Sequence, residues 1–145
     1  METQKTAALL DIQYAVEEKI STEEFLQVLE ESGLAERRPV NDPVRIKKMC
    51  DNANLIVTAR YEGKLVGIAR SVTDYSFCTY LSDLAVSREM QHQGIGKRLI
   101  DETRIASPEG LLILLAAPAA IHYYPKVNME KFEWCYIRKE LAVGS

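Results

Sequence analysis

The stretch Leu84-Ala85-Val86-Ser87-Arg88-Glu89-Met90-Gln91-His92-Gln93-Gly94-Ile95-Gly96-Lys97-Arg98-Leu99-Ile100 decides how this chain is read. It passes from an apolar strand through a polar loop with two glycines into a helix, since Ile95, Leu99, Thr103 and Ala106 recur at helical spacing. The first turn of a helix has N–H groups without partners and a partial positive charge, so it attracts phosphate. Glycine at 94 and 96 removes the Cβ atoms that would hold an anion off the backbone. Lys97 and Arg98 place cationic charge in that turn, which disfavours the helix itself but suits a pyrophosphate. The segment therefore specifies an anion nest at a strand–helix junction. Two familiar phosphate loops do not fit. A P-loop needs glycine at 91 and Ser or Thr at 98, where Gln91 and Arg98 stand, and a dinucleotide fingerprint wants a third glycine where Leu99 stands.

Upstream, the middle of the chain reads as sheet. Leu55-Ile56-Val57-Thr58-Ala59 is apolar and β-branched, Glu62-Gly63 is a turn signal before Lys64-Leu65-Val66-Gly67-Ile68-Ala69, and Asp74 opens the next turn. Tyr80-Leu81-Ser82-Asp83-Leu84-Ala85-Val86 is a further strand. Ile12–Val16 alternates and predicts a first strand. Ser21 and Thr22 ahead of Glu23-Glu24 predict a capped helix with Phe25, Leu26, Leu29 and Leu34 on its apolar face and Gly33 as its stop. Pro43 opens a second helix, with Val44, Ile46, Lys47 and Met49 following, to about Asn52. Downstream, Ser107-Pro108 ends the helix that begins at Gly94, because proline disfavours helical geometry in the residue before it. Leu111-Leu112-Ile113-Leu114-Leu115 is apolar on both faces, which predicts a central strand covered on each side. A short helix is expected over 119–124 and a final strand pair over 132–142. The mixed order, with strands outnumbering helices, predicts an α+β or α/β sandwich.

A chain of 145 residues normally builds one domain around one core, here expected over 1–145. Hydrophobic residues at 47% and charged residues at 27% are ordinary for a globular protein. The longest apolar run, over 111–121, is too short for a bilayer and contains Pro118, and Met1-Glu2-Thr3-Gln4-Lys5 does not begin a signal peptide. A cytoplasmic protein with no membrane partner is therefore expected. Cys50, Cys78 and Cys135 are odd in number and lack CxxC spacing, so they read as reduced, mostly buried thiols and not as a disulfide frame or a metal site. A net charge of −3 supplies no basic field for nucleic acid.

The segment Gln91-x-x-Gly94-x-Gly96 after Leu84-Ala85-Val86 resembles the GNAT superfamily of N-acetyltransferases, whose signature is Gln/Arg-x-x-Gly-x-Gly/Ala after an Ile/Leu-x-Val strand. The hairpin from Glu62 to Ala69 is similar to that family's second and third strands. Tyr123-Tyr124-Pro125-Lys126-Val127-Asn128-Met129 is similar to its Phe-Tyr-x-Lys-x-Gly-Phe. The resemblance covers residues 55–130. It implies a mixed, mostly antiparallel sheet of six or seven strands flanked by four helices. It also implies acetyl-CoA as cosubstrate: the backbone of Gln91, His92, Gln93, Gly94, Ile95 and Gly96, with Lys97 and Arg98, would hold the pyrophosphate. The edge of Leu84, Ala85 and Val86 would pair with the pantetheine amides. Departures are Ala117-Pro118 where many relatives carry Asn, and Asn128-Met129 in place of Gly-Phe, Asn being able to take up the left-handed conformation.

The activity so implied is transfer of an acetyl group to a primary amine of a small molecule or protein, by direct attack in a ternary complex. The amine must lose a proton, the oxyanion must be stabilised and the thiolate should receive a proton. Tyr124 matches the family tyrosine beside the thioester sulfur, and a phenol with pKa near ~10 is protonated at neutral pH. Asp83, a carboxylate in an apolar strand, is either the base or a carboxylate bonded to a neighbouring loop. Tyr80 stands where some relatives have a glutamate, which leaves a water-relayed base open. The alternative to an enzyme is a non-catalytic acyl-CoA-binding or regulatory module. Strand edges and a C-terminal hairpin would allow a homodimer, chiefly as the resemblance implies.

Overall fold

Ser21 starts the first helix as its sequence predicts. Its Oγ accepts from the Glu24 N–H at 3.1 Å, and Gly33, at φ 87°, ends the helix in the left-handed conformation. Asp42 caps the second helix through the Arg45 N–H, with Pro43 in its first turn. Glu62 and Gly63 both have positive φ, the requirement of the two-residue hairpin between Tyr61 and Lys64. Asp74 closes the next connection by accepting from the N–H groups of Ser76, Phe77 and Cys78.

The computed structural model describes residues 11–139, in two units that part between Leu115 and Ala116. In the first unit the order is β1 (Ile12–Val16), α1 (Thr22–Ser32), a 3-10 turn (Leu34–Arg37), α2 (Pro43–Asn52), β2 (Leu55–Tyr61), β3 (Lys64–Thr73), β4 (Cys78–Val86), α3 (Ile95–Ala106) and β5 (Leu111–Ile113). The sheet runs β1-β2-β3-β4-β5, antiparallel except for the parallel β4–β5 pair. The class is the α+β one expected, with five strands and three α-helices among the described residues. No helix among them is long and apolar enough to cross a membrane.

The sheet has a core on each face. Phe25, Val28 and Leu29 of α1 and Ile46 and Cys50 of α2 pack with Ile56, Ile68 and Ala85. Gly67 turns the opposite way from Ile68 and lets α3 come close: a Cβ there would lie 3.1 Å from Leu99 Cδ1 and 3.2 Å from Ile95 Cγ2. Ile95, Leu99 and Ile100 are buried, each burial contributing roughly 1.5–3 kcal/mol.

Four expectations change. The run 111–115 does not form a covered central strand. β5 has three residues, ends the sheet order, and leaves Leu111 60% and Ile113 41% exposed. The physical reason is that β5 is the last strand of the sheet among the described residues, paired on one side only. The final strand pair expected over 132–142 is not formed over 132–139, where Phe132, Trp134, Tyr136 and Ile137 are exposed; residues 140–142 lie outside the described ones. The helix expected over 119–124 is replaced, in the second unit, by 3-10 turns Pro118–Ala120 and Tyr124–Val127. The backbone bonds there run three residues back, Ala120 N–H to Ala117, Tyr123 N–H to Ala120 and Lys126 N–H to Tyr123, and Pro125 has no N–H with which to extend an α-helix. Of the thiols, Cys50 is buried, but Cys78 and Cys135 are exposed: Cys78 stands at the first, exposed position of β4 and Cys135 in the exposed 132–139 segment.

Candidate functional site

β4 reaches the loop along a bulge. Arg70 pairs with Asp83 but Ser71 pairs with Leu81, so Ser82 is an extra residue in β4. On the far side β5 pairs with Cys78, Thr79 and Tyr80 and then stops. From 81 to 86, therefore, the β5-side edge of β4 has no strand partner among the described residues, while Leu84, Ala85 and Val86 stay bonded to β3 on the other side. An open edge of this kind presents backbone donors and acceptors to an extended amide-bearing ligand.

Beyond Val86 the chain is tied at successive points. The Ser87 N–H donates to the Val66 carbonyl and its Oγ to Glu31, both at 2.9 Å. A 3-10 turn, Arg88–Met90, follows, and Gln91 Nε2 donates back to the Val86 carbonyl at 2.9 Å. His92 (φ 66°) and Gly94 (φ 85°) are both left-handed, and helix α3 begins at Ile95. Left-handed residues just ahead of a helix bend the backbone as anion nests require. Among the described residues, the N–H groups of Gly94, Ile95 and Gly96 have no protein acceptor, and the first tie of the helix is Arg98 N–H to the Gly94 carbonyl, 3.0 Å. A Cβ on Gly94 would meet nothing within 4 Å, so glycine is required there by its φ and not by crowding. Gln93 and His92 are exposed, Gln91 and Gly96 half-buried, and Ile95 is buried.

The two cations of the first turn are engaged along their own helix. Lys97 Nζ lies 2.7 Å from Asp101, and Arg98 Nε lies 2.8 Å from Glu102 with its guanidinium 4.4 Å from the ring centre of Tyr14. Both pairs are at the surface, where such contacts are weak and exchangeable.

Asp83 is fully buried, with one carboxylate oxygen on Arg38 Nε and the other on Arg70 Nε. Arg38 also donates to the Ser82 carbonyl at 2.8 Å, and Arg70 to Ser82 Oγ at 3.1 Å and to the Met49 carbonyl at 3.0 Å. Arg70 further lies 5.9 Å from the ring centre of Phe25. This is the satisfied form of a buried carboxylate. Neither Arg38 nor Arg70 stands in a motif of the sequence. Arg70 was findable, because a lone arginine in the apolar β3 wants a carboxylate and Asp83 is the lone carboxylate of β4.

In the second unit Tyr124 opens the 3-10 turn. Its ring meets that of Tyr123 edge to face at 5.2 Å between centroids, and its carbonyl accepts from the Met129 N–H at 3.1 Å. Burial pushes the phenol pKa up, with Tyr123 adding to the effect. Asn128 takes the left-handed conformation (φ 69°) that its sequence suggested. His92 and His122 are exposed, and so is Tyr80.

A mixed sheet that opens beside its fourth strand onto a glycine loop and a helix start defines an α+β protein whose site is a strand–loop–helix junction. Residues 18–129 match the Acetyltransferase (GNAT) family, and the chain belongs to that family. GCN5-related N-acetyltransferase 2, chloroplastic, of Arabidopsis thaliana is 32% identical over 72 residues, a match taking in 48% of this chain and 28% of that protein. The match thus spans little more than a quarter of that relative's length. Among solved structures, a GNAT family acetyltransferase of Streptococcus pneumoniae TIGR4 is 20% identical with a TM-score of 0.67, over 90% of this chain and 100% of that one. An aminoglycoside acetyltransferase from an uncultured soil metagenomic sample, in complex with sisomicin, is 20% identical with a TM-score of 0.68, over 90% and 97%. Ribosomal-protein-alanine N-acetyltransferase from Brucella melitensis biovar Abortus 2308 is 18% identical with a TM-score of 0.67, over 91% and 100%. At such identities the likeness establishes the fold.

Proposed function

We propose that this chain is an N-acetyltransferase that moves the acetyl group of acetyl-CoA to a primary amine of a small molecule or protein, by direct attack in a ternary complex. The observation that carries this reading is the open edge of β4 leading into the left-handed loop at the start of α3. The N–H groups of residues 94–96 are the donors for the pyrophosphate, and Lys97 and Arg98 add charge once they leave their surface partners. The backbone of Leu84, Ala85 and Val86 receives the pantetheine amides as an added strand.

Tyr124 donates the proton to the departing thiolate, and its raised pKa keeps it protonated across the neutral range. Asp83 fits a structural role better than that of base, since both of its oxygens are already bonded to guanidinium groups and it meets no solvent. A relayed water then takes the amine proton. The titration that tests the reading is release of free thiol from acetyl-CoA across a panel of primary amines, aminoglycosides and peptide N-termini included. Amine-dependent thiol release supports the enzyme, and CoA binding without release with any amine supports the second reading. That second reading, an acyl-CoA-binding module without turnover, is favoured by one observation: β4 presents no free carboxylate, with Asp83 engaged and Tyr80 in the glutamate position.

A further inference from the structure

We propose that Arg38 is a positioning residue, which holds open the gap beside β4 by clamping the Ser82 bulge. The inference rests on the proposed function and assigns Arg38 to the pantetheine half of the cosubstrate site.

An extra residue in a strand leaves its own backbone groups out of the ladder and turns the strand locally. Here the extra residue, Ser82, lies two positions after Tyr80, the last partner of β5, and two before Leu84, the first residue of the edge assigned to pantetheine. The parting of β4 from β5 thus begins at the bulge. Arg38 arrives from the segment after the 3-10 turn Leu34–Arg37 and grips this point twice, donating from Nη2 to the Ser82 carbonyl at 2.8 Å and from Nε to Asp83. A third bond, from Nη1 to the Arg37 carbonyl at 2.8 Å, fixes the guanidinium to its own backbone. A planar fork is needed for this, since one compact ammonium cannot serve carbonyl and carboxylate together in the same geometry.

The cluster also separates positioning from folding. Asp83 has two guanidinium partners, so removing Arg38 still leaves the buried one-to-one pair with Arg70, whereas removing Arg70 would strip the more deeply buried cation. Arg38 has 20% of its side chain exposed, against 8% for Arg70.

The test compares two ligands on wild type, Arg38→Met and Arg38→Lys by calorimetric titration, with a thermal melt of each protein as the folding control. One ligand is CoA; the other is 3′-phosphoadenosine 5′-diphosphate, the nucleotide end of CoA, which has both phosphates of the pyrophosphate but no pantetheine. The expected result is that both variants melt as folded proteins and bind CoA about tenfold more weakly, while the nucleotide end binds as to wild type. Arg38→Lys should fare no better than Arg38→Met, because it restores charge without the fork. Unchanged CoA affinity in both variants overturns the proposal, and so does an equal loss for both ligands, which would mark a general structural or charge effect. Failure of the wild type to bind either ligand is a different result, overturning the proposed function and this inference with it.

Discussion

Gln91 Nε2 donates to the carbonyl of Val86 at 2.9 Å, so the side chain that opens the glycine loop is fastened to the last residue of β4. This bond joins the two halves of the candidate site, the strand edge and the helix start. Replacing Gln91 with Leu keeps the bulk and removes the donor. The expected cost is about 0.5–1.5 kcal/mol of stability, with CoA affinity falling several-fold. Denaturant melts and titration check this; full CoA affinity in Gln91→Leu would show that the loop holds its shape without the tie.

Gly94 separates a conformational requirement from a steric one. Its φ of 85° disfavours any residue with a Cβ, yet the space around it is open. Gly94→Val should lose roughly 1–2 kcal/mol or more through backbone strain, measured by thermal unfolding. Gly94→Asn, which accepts the left-handed conformation, should stay near wild-type stability but bind CoA more weakly, because its side chain occupies the mouth of the nest. Wild-type CoA affinity in Gly94→Asn would move the phosphate site elsewhere.

Tyr124→Phe keeps the ring and removes the proton. Turnover should fall by about 10²–10³ while CoA affinity stays the same. Burial raises the Tyr124 pKa, so the acid form that the reaction needs persists to higher pH than an ordinary tyrosine allows. The alkaline fall of kcat attributable to it should thus lie above about pH 10 and be missing from the variant. An unchanged kcat in Tyr124→Phe would remove this residue from the chemistry.

Arg60 faces Glu17 and Glu24 through two-pronged contacts of 2.7–3.2 Å. Its hydrogen bonds hold both carboxyl groups below their ordinary range. A carboxylate whose folded pKa is depressed adds stability above its unfolded pKa, and that stability is lost as pH falls through the folded value. The melting temperatures of wild type and Arg60→Met should therefore differ most near neutrality and converge as the pH drops below about 4.3. A gap that stays constant from pH 7 to pH 3 would contradict this role for the pair.

What could be read in the chain beforehand was what depends on near neighbours. Ser21, Gly33, Asp74, Glu62-Gly63 and Asn128 each act within four residues, and each does in the structure what its type and place suggested. The helix start after the glycine loop is local as well: the helical pattern ahead of which Gly94 stands begins at Ile95. The clamp on Asp83 was not legible in the same way: Arg38 lies 45 residues away and no pattern fixes that distance. The bulge at Ser82 was hidden too, since buried positions still alternate through Thr79, Leu81, Asp83 and Ala85. The apolar run at 111–115 misled for a related reason: its coverage depends on strands supplied from elsewhere in the chain, which hydropathy cannot place.

Binding of a CoA species by the β4 edge and the loop at 91–96 is read out by thermal stability with ligands at equal concentration. With acetyl-CoA, CoA, ATP and NAD compared, a ligand at one hundred times its dissociation constant adds about 2.7 kcal/mol. An upward shift is expected with acetyl-CoA and CoA, and none of similar size with ATP or NAD. No shift with CoA at saturating concentration, or an equal shift with all four, would contradict it.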